Sequence, residues 1–100
     1  MPSPTDPIDD DSLAQAHSML FQQLVSGHSQ MALMLMGRLE NPHTGEFVDP
    51  QPEGAKVFID QLDMLAVKTR GNLSPEETAA LDKALETVHA AFAEILNDPN

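Results

Sequence analysis

The stretch that decides the fold is LAQAHSMLFQQLVSGHSQMALMLM, residues 13–36. Its large apolar residues recur at spacings of seven and four, which is the period of one face of an α-helix. The apolar arc spans roughly 200°, about twice the width that one neighbouring helix covers. The stripe consists of Leu13, Leu20, Leu24, Met31 and Leu35, and it is widened on one side by Phe21, Val25, Ala32 and Met36.

This helical stretch is also free of charge. No Asp, Glu, Lys or Arg occurs from Ser12 to Gly37, although the chain carries 16 acidic and 5 basic residues and a net charge of −11. The many Gln, Ser and His residues argue against a membrane span, and the unbroken apolar run covers only Met31–Met36. The pattern therefore predicts a helix buried between protein surfaces.

The rest of the chain predicts a small all-α protein, with a long N-terminal helix followed by a two-helix hairpin. One hundred residues fit a single domain. We expect a disordered acidic tail at residues 1–10, a helical domain at 11–97, and helices at about 12–37, 53–70 and 74–96. The expected helix-start residues are Asp11 or Ser12 for the first helix, Asp49 or Glu53 for the second, and Ser74-Pro75-Glu76-Glu77 for the third, and Phe47-Val48 is expected to pin the intervening loop.

Composition excludes several function classes. The acidic balance argues against direct binding of nucleic acid or an anionic membrane, because both require a cationic surface. The absence of cysteine excludes disulfides and thiolate chemistry. No phosphate loop, zinc motif or nucleophile elbow occurs, so we predict no catalytic residue, no metal and no cofactor. The N-terminal residues lack a signal-peptide pattern, which predicts a cytoplasmic protein.

The run Lys68-Thr69-Arg70-Gly71-Asn72-Leu73-Ser74, together with Ile59-Asp60-Gln61-Leu62 before it and Glu76-Glu77 after it, carries a family resemblance. Over residues 19–92 the chain resembles the small bacterial proteins of domain of unknown function 1844. The resemblance implies a helix-rich bacterial protein and supplies no activity or ligand. Pro50 and Pro52 depart from the family's usual helix start.

The same run has a physical interpretation as a helix–helix corner. Gly71 can adopt the left-handed conformation that ends a helix, and cations are favoured in the last helical turn. The alternative interpretation is a cationic docking corner on an acidic protein, formed by Lys68, Arg70, Gly71 and Asn72.

We predict a homodimer, because the first helix is too apolar to be covered by two neighbours on one side. The function expected is a non-enzymatic protein–protein interaction or regulatory module that also docks an unidentified protein partner. The expected dimer interface consists of Leu20, Leu24, Gly27, Met31, Met34 and Leu35. Met31, Met34 and Met36 form either an adaptable binding surface or ordinary core.

The alternative function is a small-ligand or metal-binding protein with its site in the seam of the first helix. His17 and His28 lie 11 residues apart, which is about 16 Å along a helix. They can share a metal only across two antiparallel copies. A weaker alternative, nucleic-acid mimicry, is disfavoured because the acidic residues are not spaced like phosphates.

Overall fold

The protein is a bundle of three helices. A computed structural model describes residues 10–97, in which α1 spans Asp10–Leu35, α2 spans Pro52–Lys68 and α3 spans Pro75–Asn97. Each helix contacts the other two, and no strand occurs in this range. The all-α prediction is confirmed. The predicted acidic tail lies outside the described residues, except for Asp10, which is the first residue of α1.

The first helix begins earlier than its pattern predicted. Asp11 and Ser12 lie within the first turn of α1, so the prediction that they cap it was wrong. Acidic side chains in a first turn are favoured by the helix dipole, and Asp10 and Asp11 occupy that turn.

The end of α1 is closed by Gly37. The N–H of Gly37 donates to the carbonyl of Met34 at 3.0 Å, and the N–H of Arg38 donates to Leu33 at 2.8 Å. This is the Schellman pattern, and Gly37 has the positive φ of 73° that it requires. A Cβ on Gly37 would also lie 2.7 Å from the carbonyl oxygen of Val48, so a larger residue would displace the loop.

Helix α2 starts close to Asp49 and Glu53, as the sequence predicts. Gln51 occupies the N-cap and Pro52 is the first helical residue, whereas Asp49 lies outside the helix and Glu53 within its first turn. The N–H of Gln51 donates to the carbonyl of Leu35 at 2.7 Å, which ties the start of α2 to the end of α1.

The loop before α2 is not pinned as predicted. Phe47 is 63% exposed, so the expectation that it anchors the loop was wrong. Val48 is half-buried beside Gly37. The loop is held by its own turn, in which the N–H of Asn41 donates to Glu46 at 2.7 Å.

The corner between α2 and α3 forms as the sequence predicts. Gly71 has a φ of 83°, and Leu73 packs against the core. The hydroxyl of Ser74 accepts from the N–H of Glu77 at 3.2 Å, and the Glu77 carboxylate accepts from the N–H of Ser74 at 2.8 Å. This reciprocal capping box starts α3.

The core is thin because small residues bring the helices together. Four of its ten buried apolar residues are alanines. A core of small side chains buries little area for each residue, so coverage by a partner would add substantially to stability. The buried set is Val25, Ala32 and Met36 in α1, Ala55, Ile59 and Leu62 in α2, and Leu81, Ala84, Val88 and Ala91 in α3.

Candidate interaction face

Helix α1 has two apolar faces, and only one of them is covered. The inner face, formed by Val25, Ala32 and Met36, is at most 1% exposed and packs into the core. At 100° per residue, Leu24 and Met31 lie roughly 100–120° around the helix from Val25. The helix therefore presents a second apolar surface that its own bundle does not bury.

We call this second surface, together with its continuation on α2, the outer face. Its large side chains are between 39% and 60% exposed. On α1 this face lies next to the residues that contact α2 and on the opposite side of the helix from α3. The outer face consists of Leu20, Leu24, Gly27 and Met31 in α1, and Val57 and Met64 in α2.

A polar and aromatic contact joins the two halves of the outer face. Nε2 of His28 lies 2.8 Å from Oε1 of Gln61, and the His28 ring meets the ring of Phe58 edge-on at a centroid distance of 5.6 Å. Nδ1 of His28 also lies 3.1 Å from the carbonyl oxygen of Leu24. The contacts with Gln61 and Phe58 fix the position of α1 along its axis relative to α2.

Gly27 lies in the middle of the α1 half of this face. A Cβ built on Gly27 would have no atom within 4 Å outside its own helix. Packing within the chain therefore does not require glycine here, although a mid-helix glycine costs about 1 kcal/mol relative to alanine.

The structure exposes some of the residues predicted for the dimer interface and partly buries the others. Leu20, Leu24, Gly27 and Met31 are exposed, whereas Met34 and Leu35 are half-buried. A Cβ on Gly54 of α2 would lie 3.6 Å from Leu35, which places Leu35 at the seam between the helices. The methionine cluster is divided as well, because Met36 is part of the core.

Sequence reasoning missed the contribution of α2 to the outer face. Val57 and Met64 are seven residues apart, a helical spacing that could have identified them. Lys56, Asp60 and Asp63 lie between or beside them and gave this side of α2 a polar appearance.

The predicted docking corner is exposed. Lys68, the last residue of α2, and Arg70, Gly71 and Asn72 after it all lie at the surface. Within residues 10–97 neither Lys68 nor Arg70 forms an ion pair, in contrast to Arg38 with Glu94 and Lys56 with Asp60. The corner therefore presents two cations on an acidic protein.

The histidines do not converge on a metal site. Across the described part of the chain, no group of three or more His, Asp and Glu side chains is placed to hold a metal ion. His28 is engaged with Gln61, His89 lies 2.9 Å from Asp63, and His17 is exposed on the N-terminal half of α1. A site shared by His17 and His28 requires two antiparallel copies, so it stays a prediction.

The titratable group with a clear electrostatic effect is Glu77. The hydrogen bond from the backbone N–H of Ser74 lowers the pKa of the Glu77 carboxyl below its ordinary value, against a smaller opposing effect of desolvation. Its role is structural, since the bond closes the capping box of α3. Asp60 and Asp63, which are three residues apart, have separate partners in Lys56 and His89.

None of the helices in residues 10–97 is sufficiently long and apolar to span a bilayer. The class defined by these features is a small acidic three-helix bundle with one uncovered apolar face.

The chain belongs to the family described as domain of unknown function 1844 (DUF1844), which matches residues 18–94. The match covers all of α2 and most of α1 and α3, and it confirms the resemblance carried by the corner run. No curated protein and no solved structure matches this chain.

Proposed function

We propose that this protein is a non-enzymatic interaction module that acts as a homodimer, with the outer face as its dimer interface. The observation that supports the proposal is a set of five large apolar side chains on α1 and α2 that are 39–60% exposed. Contiguous exposed apolar surface of this kind typically marks an interaction site.

The dimensions of the outer face suit a small dimer. From Leu20 to Met31 the α1 half of the outer face runs about 17 Å. Two packed helices are about 18 Å wide, since their axes lie 8–10 Å apart. The face therefore projects about 300 Å² per copy, so that two copies bury about 600 Å², which corresponds to a weak, reversible association.

The absence of charge on the α1 half of the outer face permits a second copy as the occupant. A net charge of −11 makes two chains repel each other over most of their surfaces. The α1 half of the outer face belongs to the stretch from Ser12 to Gly37, which carries no charged residue. Two copies that meet along α1 can thus bury apolar surface without burying or opposing charges.

The docking corner gives the dimer a second surface for a protein partner. We propose that Lys68 and Arg70, which are free of ion pairs within residues 10–97, receive an acidic segment of another cytoplasmic protein. A dimer presents two such corners, which strengthens binding to a partner with two matching segments.

The dimer is tested by a matched pair of substitutions. Met19 and Leu20 are adjacent and 62% and 60% exposed, but only Leu20 lies on the outer face. Both Met19→Glu and Leu20→Glu add one negative charge. In sedimentation equilibrium we expect twice the chain mass of 10.9 kDa for the unmodified protein and for Met19→Glu, and the chain mass for Leu20→Glu.

Equal masses for the two variants would contradict the assignment of the interface. The docking corner is tested separately with Lys68→Glu/Arg70→Glu. This variant should remain dimeric while it loses the proteins that the unmodified chain captures from its native cell. An unchanged set of captured proteins would remove the corner from the proposal.

A further inference from the structure

The outer stripe of α1 has a symmetric spacing about Gly27. Leu20 lies seven residues before Gly27 and Met34 seven residues after it, while Leu24 lies three residues before and Met31 four residues after. If a second α1 is turned end for end about Gly27, Leu20 meets Met34 of the other copy and Leu24 meets Met31. The two pairs differ in register by one residue, about 1.5 Å along the axis, so each residue still lies beside an apolar partner.

The apolar residues of α2 have the same property about a different centre. Val57 lies four residues before Gln61, and Met64 lies three residues after it. Reversal of α2 about the point between Asp60 and Gln61 places Val57 opposite Met64 of the other copy.

The two centres of symmetry lie side by side in the structure. The hydrogen-bond contact of 2.8 Å between His28, next to Gly27, and Gln61 sets them at the same height. One two-fold axis can therefore pass both Gly27 and Gln61. About this axis, α1 packs on α1 of the other copy and α2 packs on α2 of the other copy. Nothing in the intramolecular packing demands that these centres coincide.

We infer that two copies associate face to face through an antiparallel two-fold arrangement whose axis passes Gly27 of α1 and Gln61 of α2. The inference rests on the proposed homodimer and specifies its geometry. In an isologous interface a residue on the axis meets its own copy. Gly27, which has open space around it within its own chain, then lets the two α1 backbones approach closely.

Electrostatics favours the antiparallel direction over the parallel one. Asp10 and Asp11 lie in the first turn of α1. A parallel pair would set the acidic first turns of both copies side by side and would align the helix dipoles unfavourably. An antiparallel pair centred on Gly27 separates the two first turns by about 50 Å, several Debye lengths at physiological salt.

Spin-label distances test this geometry, because the chain has no cysteine and each single-cysteine variant gives one label per copy. Ala16 and Gln23 are exposed on α1, 11 and 4 residues before Gly27. In the antiparallel dimer their labels are separated along the helix axis by about 33 Å for Ala16→Cys and about 12 Å for Gln23→Cys.

The outcomes separate the geometry from the dimer itself. A long distance for Ala16→Cys together with a short one for Gln23→Cys supports the inference. Short and equal distances for both variants indicate a parallel dimer, and two long distances indicate a different interface. Either result overturns the inference while the chain remains dimeric. The absence of any dipolar coupling in both variants shows a monomer, which overturns the proposed function as well.

Discussion

The inner and outer faces of α1 are built from similar residues and have opposite environments. Val25 and Ala32 are buried against α2 and α3, whereas Leu24 and Met31, one residue earlier along the chain in each case, remain exposed. Periodicity places both sets on an apolar arc but does not say which part of the arc the chain itself covers. The comparison shows that apolar character predicts that a residue is buried. It does not predict whether the residue's own chain or a second molecule buries it.

The largest difference between the inner and outer faces should appear when the same charge is placed on each of them. Val25→Asp buries an unpaired carboxylate in the core, which costs about 3–5 kcal/mol, a large part of the stability of a small domain. Leu24→Asp puts the carboxylate at the outer face, where water reaches it in the monomer. By circular dichroism we expect Val25→Asp to lose the cooperative thermal transition and Leu24→Asp to retain a helical fold. Similar loss of structure in both variants would show that the faces do not differ.

A smaller change separates folding of the chain from association. Gly27→Ala has no steric obstacle within one chain, so it should raise the helical stability of the monomer by about 1 kcal/mol. On the two-fold axis the added methyl groups meet each other, and overpacking of about 1–3 kcal/mol weakens the dimer at least about fivefold. The dissociation constant from sedimentation and the unfolding free energy at low concentration measure the two effects. A tighter dimer would argue against close backbone contact at Gly27.

The capping box of α3 lies away from the outer face, and acid acts on it through Glu77. The pKa of Glu77 is lower in the folded chain than in the unfolded chain, so its contribution to stability is present above the ordinary glutamate pKa of about 4.3 and is lost as the pH falls through the lowered folded value. The unfolding free energy should decline over this range, and Glu77→Gln should remove part of the decline. Chemical denaturation across the pH series measures it, and identical pH profiles for both proteins would be inconsistent with this role of the capping box.

The smallest expected effect comes from an exposed ion pair on α2, beside the outer face. Nζ of Lys56 lies 2.8 Å from Oδ2 of Asp60, and both side chains are more than half exposed. Lys56→Gln should change the unfolding free energy by less than about 0.5 kcal/mol and leave the dimer intact. A large loss of dimer in this variant would mean that overall charge, rather than the outer face, controls association.

Much of the fold was predictable from local patterns. The three helices, the left-handed Gly71 and the capping box of Ser74 and Glu77 follow from periodicity and from residues whose preferences are strong. The helix starts were less accurate, because Asp11 and Ser12 suit a first turn as well as a cap. The exposure of Phe47 was not predictable, since its aromatic character alone indicates burial and the turn from Asn41 to Glu46 holds the loop instead.

The candidate site was predictable only in part. The α1 half of the outer face was evident as an apolar arc too wide for one neighbour. The α2 half was not, because Val57 and Met64 are joined to it only through a contact between helices that are distant in sequence, that of His28 with Gln61. Such a contact depends on how the helices pack, which local patterns do not specify.

The central claim is that a second copy of the chain covers the outer face, and sedimentation equilibrium of the unmodified protein tests it most directly. At about 10 μM, a range that detects micromolar association, we expect a mass twice the 10.9 kDa of the chain. A folded protein that keeps the single-chain mass at every concentration measured would contradict the account.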